Sequence, residues 1–203
     1  MRASAPRAHA GAVAKRLFVV PRVATLLLVG IALAGVMADA TVRTWSVIFM
    51  RDSFTVPGWV EALSLPAFLL MLSTGRLFGD ALVERFGPVR LAAALLCVAM
   101  LGLGLVLTAR DLFQAMVGFG FLGIGICVIY PLTISAAARI GGRPASENVT
   151  SVTMVMSLIM LGVPALMGFA AQQFGIRASF AILLPVLLLA LLLVHRLDPK
   201  PAV

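Results

Sequence analysis

The residues best suited to chemistry are two ionisable side chains inside a long apolar stretch. Asp39 and Arg43 are four positions apart, so on a helix they share a face and can form an ion pair. An ionised side chain near the middle of a bilayer costs about 2.5–3.5 kcal/mol on insertion scales, so it needs a partner or a water-filled path. We therefore expect Asp39 to bind a substrate or a proton, with Arg43 holding it ionised or binding an anion. Trp45 is the third candidate residue of this site.

A second interpretation of this pair stays open. Arg43 can extend its charged end toward water while its apolar stem stays in the membrane. Asp39 and Arg43 would then be a structural ion pair near the outer interface. Spacing alone does not separate a binding site from a structural pair.

The strongest concentration of charge in the interior of the chain is the segment 75–90, which reads GRLFGDALVERFGPVR. It lies between two apolar runs and is predicted to be a polar loop at the water interface, because exposed irregular backbone is not tolerated in lipid. Gly75 and Gly79 are predicted to let two helices approach closely. Asp80 is predicted to face the positive N-terminal end of the next helix, which Gly87 and Pro88 would begin.

Other chemistry is poorly supported by the residues present. Cys97 and Cys127 both lie in apolar runs, and His9 and His195 lie near opposite ends of the chain; no metal site or cofactor is predicted. The hydroxyls at 73–74 have no histidine in the predicted spans to act as a base, which argues against an intramembrane hydrolase. The GxGxxG pattern at 118–123 falls inside an apolar run and not after a strand, so it indicates helix packing and not dinucleotide binding.

Composition identifies the class of protein that these residues belong to. The chain has 203 residues, of which 62% are hydrophobic and 12% are charged, and its mean hydropathy is +1.10. Soluble globular domains are far less apolar, so the chain is predicted to be an integral membrane protein of the all-α class. Its net charge of +8 lies in short loops, where it sets topology; we expect no nucleic-acid partner.

Hydropathy predicts six membrane-spanning helices, each close to the twenty residues that a bilayer requires. The predicted bundle covers 23–195, with a basic tail at 1–22 and a short tail at 196–203. Pro131, Gly162, Pro164 and Gly168 interrupt the apolar pattern and are candidate hinges. The predicted spans are 23–49, 60–78, 89–109, 112–137, 150–171 and 178–194.

The basic residues predict the orientation of these spans. Twelve of them fall in the two tails and in the second and fourth loops, whereas three fall on the opposite side. The positive-inside rule then places both termini in the cytoplasm. The first apolar stretch is too long for a signal peptide, so residues 1–22 are predicted to be a retained cytoplasmic tail; a transit peptide is the alternative. The three on the opposite side are Arg51, Arg110 and Arg177.

The segment 75–90 resembles the loop signature of the major facilitator superfamily of transporters. In that family the signature lies on the cytoplasmic side, between the second and third helices of each six-helix half. The resemblance implies that this segment latches neighbouring helices during alternating access. Further similarities cover the first span, the end of the fourth span and the fifth span with its outer turn. The residues implied in gating are Gly75, Arg76, Gly79, Asp80, Arg85, Gly87 and Arg90.

The resemblance covers one half of a family member and is closest to the second half. It implies secondary transport of a small solute. Proton coupling is expected because a membrane-embedded carboxylate can carry a proton, and the Arg- and Ala-rich composition indicates a bacterial inner membrane. Lipid, the solute and a second six-helix half are the expected partners; the second half would be a separate chain or a second copy of this one. Two alternatives stay open, an inactive truncated remnant and a non-transporting scaffold subunit.

Overall fold

The computed structural model describes residues 22–197, and within this range the chain is helical with short turns and no strand. The predicted tails at 1–22 and 196–203 lie almost wholly outside the described residues. The helices are α1 (Val23–Ser53), α2 (Gly58–Glu61), α3 (Ser64–Phe86), α4 (Pro88–Leu107), α5 (Leu112–Ile126), α6 (Ile129–Ala138), α7 (Ala145–Phe174), α8 (Ile176–Ala181) and α9 (Leu183–Leu193), and a 3₁₀ turn covers Val194–Leu197.

These helices make six segments that are long and apolar enough to cross a membrane. The second span joins α2 to α3, the fourth joins α5 to α6, and the sixth joins α8 and α9 to the closing 3₁₀ turn. The prediction of an all-α protein with six spans is confirmed. Large apolar side chains stay exposed on the outer faces, such as Leu161 and Leu77 at 80% and 79%, which suits contact with lipid.

Several helices extend past the predicted ends of their spans. The helix α1 continues through Arg51 and Asp52, which were expected in a loop, and α7 covers Ala145–Phe174 where 150–171 was expected. Hydropathy detects where the apolar run ends, whereas the backbone hydrogen bonds of a helix continue beyond the hydrocarbon layer into water. At these ends the helices are therefore longer than the spans predicted from hydropathy.

The helices pack in two groups. The closest packing in the fold joins α5 to α3 and α4, whereas α1 packs mainly on α9, α6 and α7. Phe49, Phe119 and Phe180 connect the groups in a fully buried cluster, with ring centroids 5.2–5.9 Å apart and edge-to-face geometry. Such aromatic pairs add stability beyond the area that they bury.

Arg177 lies at one end of this cluster. Its guanidinium donates hydrogen bonds to the carbonyl oxygens of Leu107 at 3.0 Å and Ala109 at 2.7 Å. Leu107 is the last residue of α4 and Ala109 follows in the turn, where no N–H of a described helix bonds these carbonyls. The same guanidinium lies 5.7 Å from the ring centroid of Phe49, within cation–π range. One side chain thus ties the sixth span to the first and third.

Candidate functional site

Asp39 and Arg43 form the ion pair that their spacing predicts. Arg43 Nε donates to Asp39 Oδ2 at 2.8 Å, across one turn of α1. The Asp39 and Arg43 side chains are 29% and 44% exposed, so the described helices cover this face of α1 only in part. A partly exposed charged pair on a membrane helix is unfavourable against lipid. This face therefore suits a water-filled path or a partner protein.

The second oxygen of Asp39 has no partner of its own. Asp39 Oδ1 is buried and makes no hydrogen bond within residues 22–197, and the same holds for the hydroxyls of Thr41 and Ser46 on the same helix. A buried acceptor without a donor costs about 1–3 kcal/mol. A donor group of a solute would satisfy Oδ1, whereas a proton on the carboxyl group would remove its charge and make that oxygen a donor.

Trp45 lies one and a half turns beyond Asp39 on α1 and contacts α7. A Cβ built on Gly168 would lie 3.5 Å from Trp45 Cη2, so the indole packs directly over this glycine. The first and fifth spans run in the same direction, and both rise about 1.5 Å per residue. Six residues before Gly168 on α7, a Cβ built on Gly162 would meet no atom within 4 Å, so this glycine faces open space.

The predicted loop at 75–90 is mostly helical. The helix α3 runs without interruption to Phe86, and Gly87 alone separates it from α4, which begins at Pro88. Gly87 has φ +79°, which disfavours side chains with a Cβ. The gating candidates Arg76, Asp80 and Arg85 therefore lie in the last three turns of α3. The hydrophobic periodicity of the sequence could not predict that these turns are helical. Charged residues occur on every face of them, so no apolar stripe marks a helix.

Gly75 and Gly79 allow the fourth span to approach α3 closely. A Cβ built on Gly75 would lie 2.6 Å from Cys127 Sγ, and one built on Gly79 would lie 2.7 Å from Val128 Cγ1. Both distances are shorter than real contacts allow. The two glycines thus face the short break between α5 and α6, and Arg76 donates from Nε to the Cys127 carbonyl oxygen at 3.3 Å.

Asp80 lies in a cleft that the start of the following helix also borders. The cleft has a volume of about 290 Å³ between α3, the start of α4 and α6. Asp80 makes no hydrogen bond or ion pair with the other described residues, and α4 has no side-chain cap. That Asp80 faces the N-terminus of the next helix stays a prediction. Asp80 shares the cleft with Val83, Pro88, Val128, Pro131, Leu132, Ser135 and Arg139.

The cleft also contains Arg139, a charged residue for which the sequence predicted no role in gating. It lies 59 positions from Asp80, and its guanidinium also reaches the Leu197 carbonyl oxygen at 3.5 Å. Only the tertiary fold brings the two charges to one cleft, which the end of α3 and the residues of α6 both border. The Tyr130-Pro131 pair and the basic residue after α6 were the available signals.

The candidate hinges behave differently from one another. Pro131 lies in the first turn of α6, directly after the break in the fourth span. Pro164 lies inside α7, which continues through it, together with Gly162 and Gly168. The fourth span is therefore divided, and the fifth is a continuous helix.

Two further interpretations of the sequence concern metal binding and dinucleotide binding. Within residues 22–197 no cluster of three or more metal-ligating side chains is present. The glycines of the GxGxxG pattern lie inside α5 and contact neighbouring helices: a Cβ on Gly118 would lie 2.8 Å from Val106 Cγ2. These glycines are occupied by helix packing, and they offer no free helix N-terminus to a pyrophosphate.

Comparison with known proteins supports the resemblance seen in the sequence. The family model of the Major Facilitator Superfamily (MFS) matches residues 53–203. An uncharacterised MFS-type transporter of Yersinia pestis is 26% identical over 165 residues, and an uncharacterised transporter of Sinorhizobium fredii, y4wD, is 30% identical over 158 residues. The membrane protein MosC of Rhizobium meliloti is 25% identical over 162 residues.

These alignments cover most of this chain but less than half of each relative. They include 81%, 77% and 79% of this chain, and 43%, 42% and 40% of the respective relatives. The chain thus spans under half the length of the curated relatives that it matches. No solved structure matches it.

Proposed function

Because the chain belongs to the major facilitator superfamily, we propose that it forms one six-helix half of a secondary transporter. In this proposal a small solute crosses the membrane by alternating access, with proton coupling through Asp39. Both termini lie in the cytoplasm and the membrane is a bacterial inner membrane; the distribution of basic residues between the loops supports this orientation. Membership of a transporter family also favours transport over an enzymatic role.

The proposal rests on the unequal hydrogen bonding of the two oxygens of the Asp39 carboxylate. One oxygen is paired with Arg43 at 2.8 Å, and the other is buried without a hydrogen bond among the described residues. Such a group gains a hydrogen bond when a donor-bearing solute binds, and it loses its charge when it takes up a proton. It can therefore exist in two states, as a coupled transporter requires.

The uncovered polar faces support the need for a second half. Arg43 and Thr44 are exposed on α1, and Thr150 is exposed on the neighbouring α7. Lipid offers these groups no hydrogen bonds, whereas the exposed Thr153 and Ser157 of α7 already donate to carbonyls of their own helix. A second six-helix bundle, supplied by another chain or a second copy, would enclose a path along these faces and exclude lipid from Arg43.

The cytoplasmic gate of this transporter is formed by the end of α3. Asp80 and Arg139 share a cleft without an ion pair between them. We assign the present arrangement to the released state of the gate. Closure of the cleft would join the two charges and hold the cytoplasmic ends of α3 and α6 together.

The first experiment determines whether a second half is present. The full chain is expressed from its own locus, extracted gently and measured by native mass spectrometry. We expect a complex with a second six-helix chain, or a dimer. A monomer of 21.4 kDa would contradict the proposed assembly and favour the remnant or scaffold alternatives.

The second experiment tests transport by this complex. Membrane vesicles containing it are loaded with the pH-sensitive dye pyranine and exposed in turn to sugars, amino acids, organic anions and cationic dyes. We expect one class to cause a pH change that Asp39→Asn abolishes, while that variant is still inserted. Asp52→Asn is the matched control, because Asp52 lies at the outer end of α1. Full proton-coupled uptake by Asp39→Asn at saturating solute would refute the role of Asp39.

A further inference from the structure

The break in the fourth span leaves one backbone carbonyl without its helical partner. The helix α5 ends at Ile126 and α6 begins at Ile129, with Cys127 and Val128 between them. In a continuous helix the carbonyl of Cys127 would accept from the N–H of residue 131. That residue is Pro131, which has no N–H and whose ring crowds the carbonyl four positions earlier.

The side chain of Arg76 reaches this carbonyl from another span. Arg76 Nε donates to the Cys127 oxygen at 3.3 Å. The contact is possible because Gly75 and Gly79 present no side chain to Cys127 and Val128. Arg76 thus supplies the donor that Pro131 lacks, at a distance that is long for a strong hydrogen bond.

The break also separates helices that have different neighbours. The part before it, α5, packs tightly on α3 and α4, whereas α6 packs on α1 and α7. The next backbone bond, from the Leu132 N–H to the Val128 carbonyl, is intact at 3.0 Å. The missing bond therefore falls at the boundary between two groups of helices. A change in the angle between α5 and α6 at this point disturbs fewer contacts than a bend inside either group.

We propose that Arg76 is a positioning residue that latches this break and sets the angle between α5 and α6. Releasing its bond to Cys127 frees α6 to move relative to α3. The cleft that contains Asp80, Ser135 and Arg139 then changes shape, since α6 forms one of its walls. Asp80 lies four residues after Arg76 on α3 and can accept the released guanidinium.

A double-mutant cycle in the full-length protein tests the latch. Arg76→Met removes the donor, and Pro131→Ala restores an N–H that can bond Cys127 directly. Hydrogen–deuterium exchange is measured for a peptide covering 124–134, relative to a peptide of α4 in the same molecule. Arg110→Met is the matched control, because the Arg110 side chain is exposed, makes no hydrogen bond or ion pair among the described residues, and is not a gating candidate.

We expect Arg76→Met to speed exchange at the break about three- to tenfold, the range for losing one hydrogen bond of this kind in a membrane protein. In the Pro131→Ala background the same change should have little effect, and Arg110→Met should have none in either background. If Arg76→Met alone does not fold, recovery of the fold in the double variant supports the latch.

Equal acceleration in both backgrounds, or no acceleration with Pro131 present, would overturn the proposal. So would a double variant that fails to fold when Pro131→Ala folds. The use of the latch during transport rests on the function proposed above, whereas the exchange measurement needs no substrate. If the effect of Arg76→Met depends on Pro131 in a protein that shows no transport, that result would support the latch and would contradict only its role in transport.

Discussion

Trp45 on α1 packs over Gly168 on α7, with the indole Cη2 atom 3.5 Å from the position that a Cβ on the glycine would take. This contact joins the first and fifth spans one and a half turns beyond the Asp39–Arg43 pair. It brings a residue predicted to bind substrate against a residue predicted to be a hinge.

Substitutions at Gly168 should show whether this contact shapes the site. An alanine Cβ at 3.5 Å is in ordinary van der Waals contact, so Gly168→Ala should leave the structure unchanged. Gly168→Leu should displace the indole and shift the emission of Trp45, measured with Trp59→Phe so that a single tryptophan remains. Gly162→Leu is the control, since a Cβ there meets no atom within 4 Å. An unchanged emission spectrum in Gly168→Leu would refute the contact.

The glycines of α3 should be far less tolerant of a methyl group. Gly75→Ala would place a Cβ 2.6 Å from Cys127 Sγ and should destabilise the protein by about 1–3 kcal/mol, as overpacking does. Gly104→Ala is the matched control on α4, where a Cβ meets nothing within 4 Å; it should be neutral or slightly stabilising. Thermal unfolding in detergent measures both. Equal melting temperatures for the two variants would contradict the close approach of the second and fourth spans.

The clamp formed by the contacts of the Arg177 side chain should contribute to the stability of the fold. Arg177→Met removes two hydrogen bonds, to Leu107 and Ala109, and the cation–π contact with Phe49. Each bond from a charged donor contributes about 1.5–3 kcal/mol; because Arg177 is partly exposed, we expect a total loss of about 2 kcal/mol.

Arg110→Met serves as the control for this clamp. It removes a positive charge from the same side of the membrane, and the Arg110 side chain makes no hydrogen bond or ion pair among the described residues. Thermal unfolding should show a lower melting temperature for Arg177→Met alone. A similar decrease in both variants would mean that charge, and not the clamp, is responsible.

The gate assignment predicts matching effects at Asp80 and Arg139. If closure joins these charges, Asp80→Ala and Arg139→Gln should each disfavour the closed cleft. The accessibility of Gly162→Cys to a water-soluble maleimide, in a background without Cys97 and Cys127, should change several-fold in the same direction for both variants. In the double variant that exchanges the two charges, Asp80→Arg with Arg139→Asp, the accessibility of the cysteine should return toward the parent value.

The control for this prediction is Glu84→Ala, which removes a nearby carboxylate that does not line the cleft. Unchanged accessibility in both cleft variants would indicate that Asp80 has no part in the gate. A change in Asp80→Ala without a change in Arg139→Gln would assign Asp80 a different partner.

Local spacing was enough to predict the contacts that lie within one helix. Asp39 and Arg43 meet because four residues make one turn of α1, whatever surrounds that helix. The six spans follow in the same way from the length of each apolar run. The end of α3 was predicted wrongly, because the cost of charges in lipid limits the span and not the helix itself.

The sequence by itself determined that this protein is an all-α membrane protein with six spans, and its motifs carried the family resemblance. Those properties depend on hydropathy and on residues close together in the chain. Only the tertiary structure decided that Arg76 bonds the carbonyl left free by Pro131, that Asp80 shares a cleft with Arg139, and that Trp45 covers Gly168. Each of these pairs joins different spans, and apolar periodicity contains no information about which helices become neighbours.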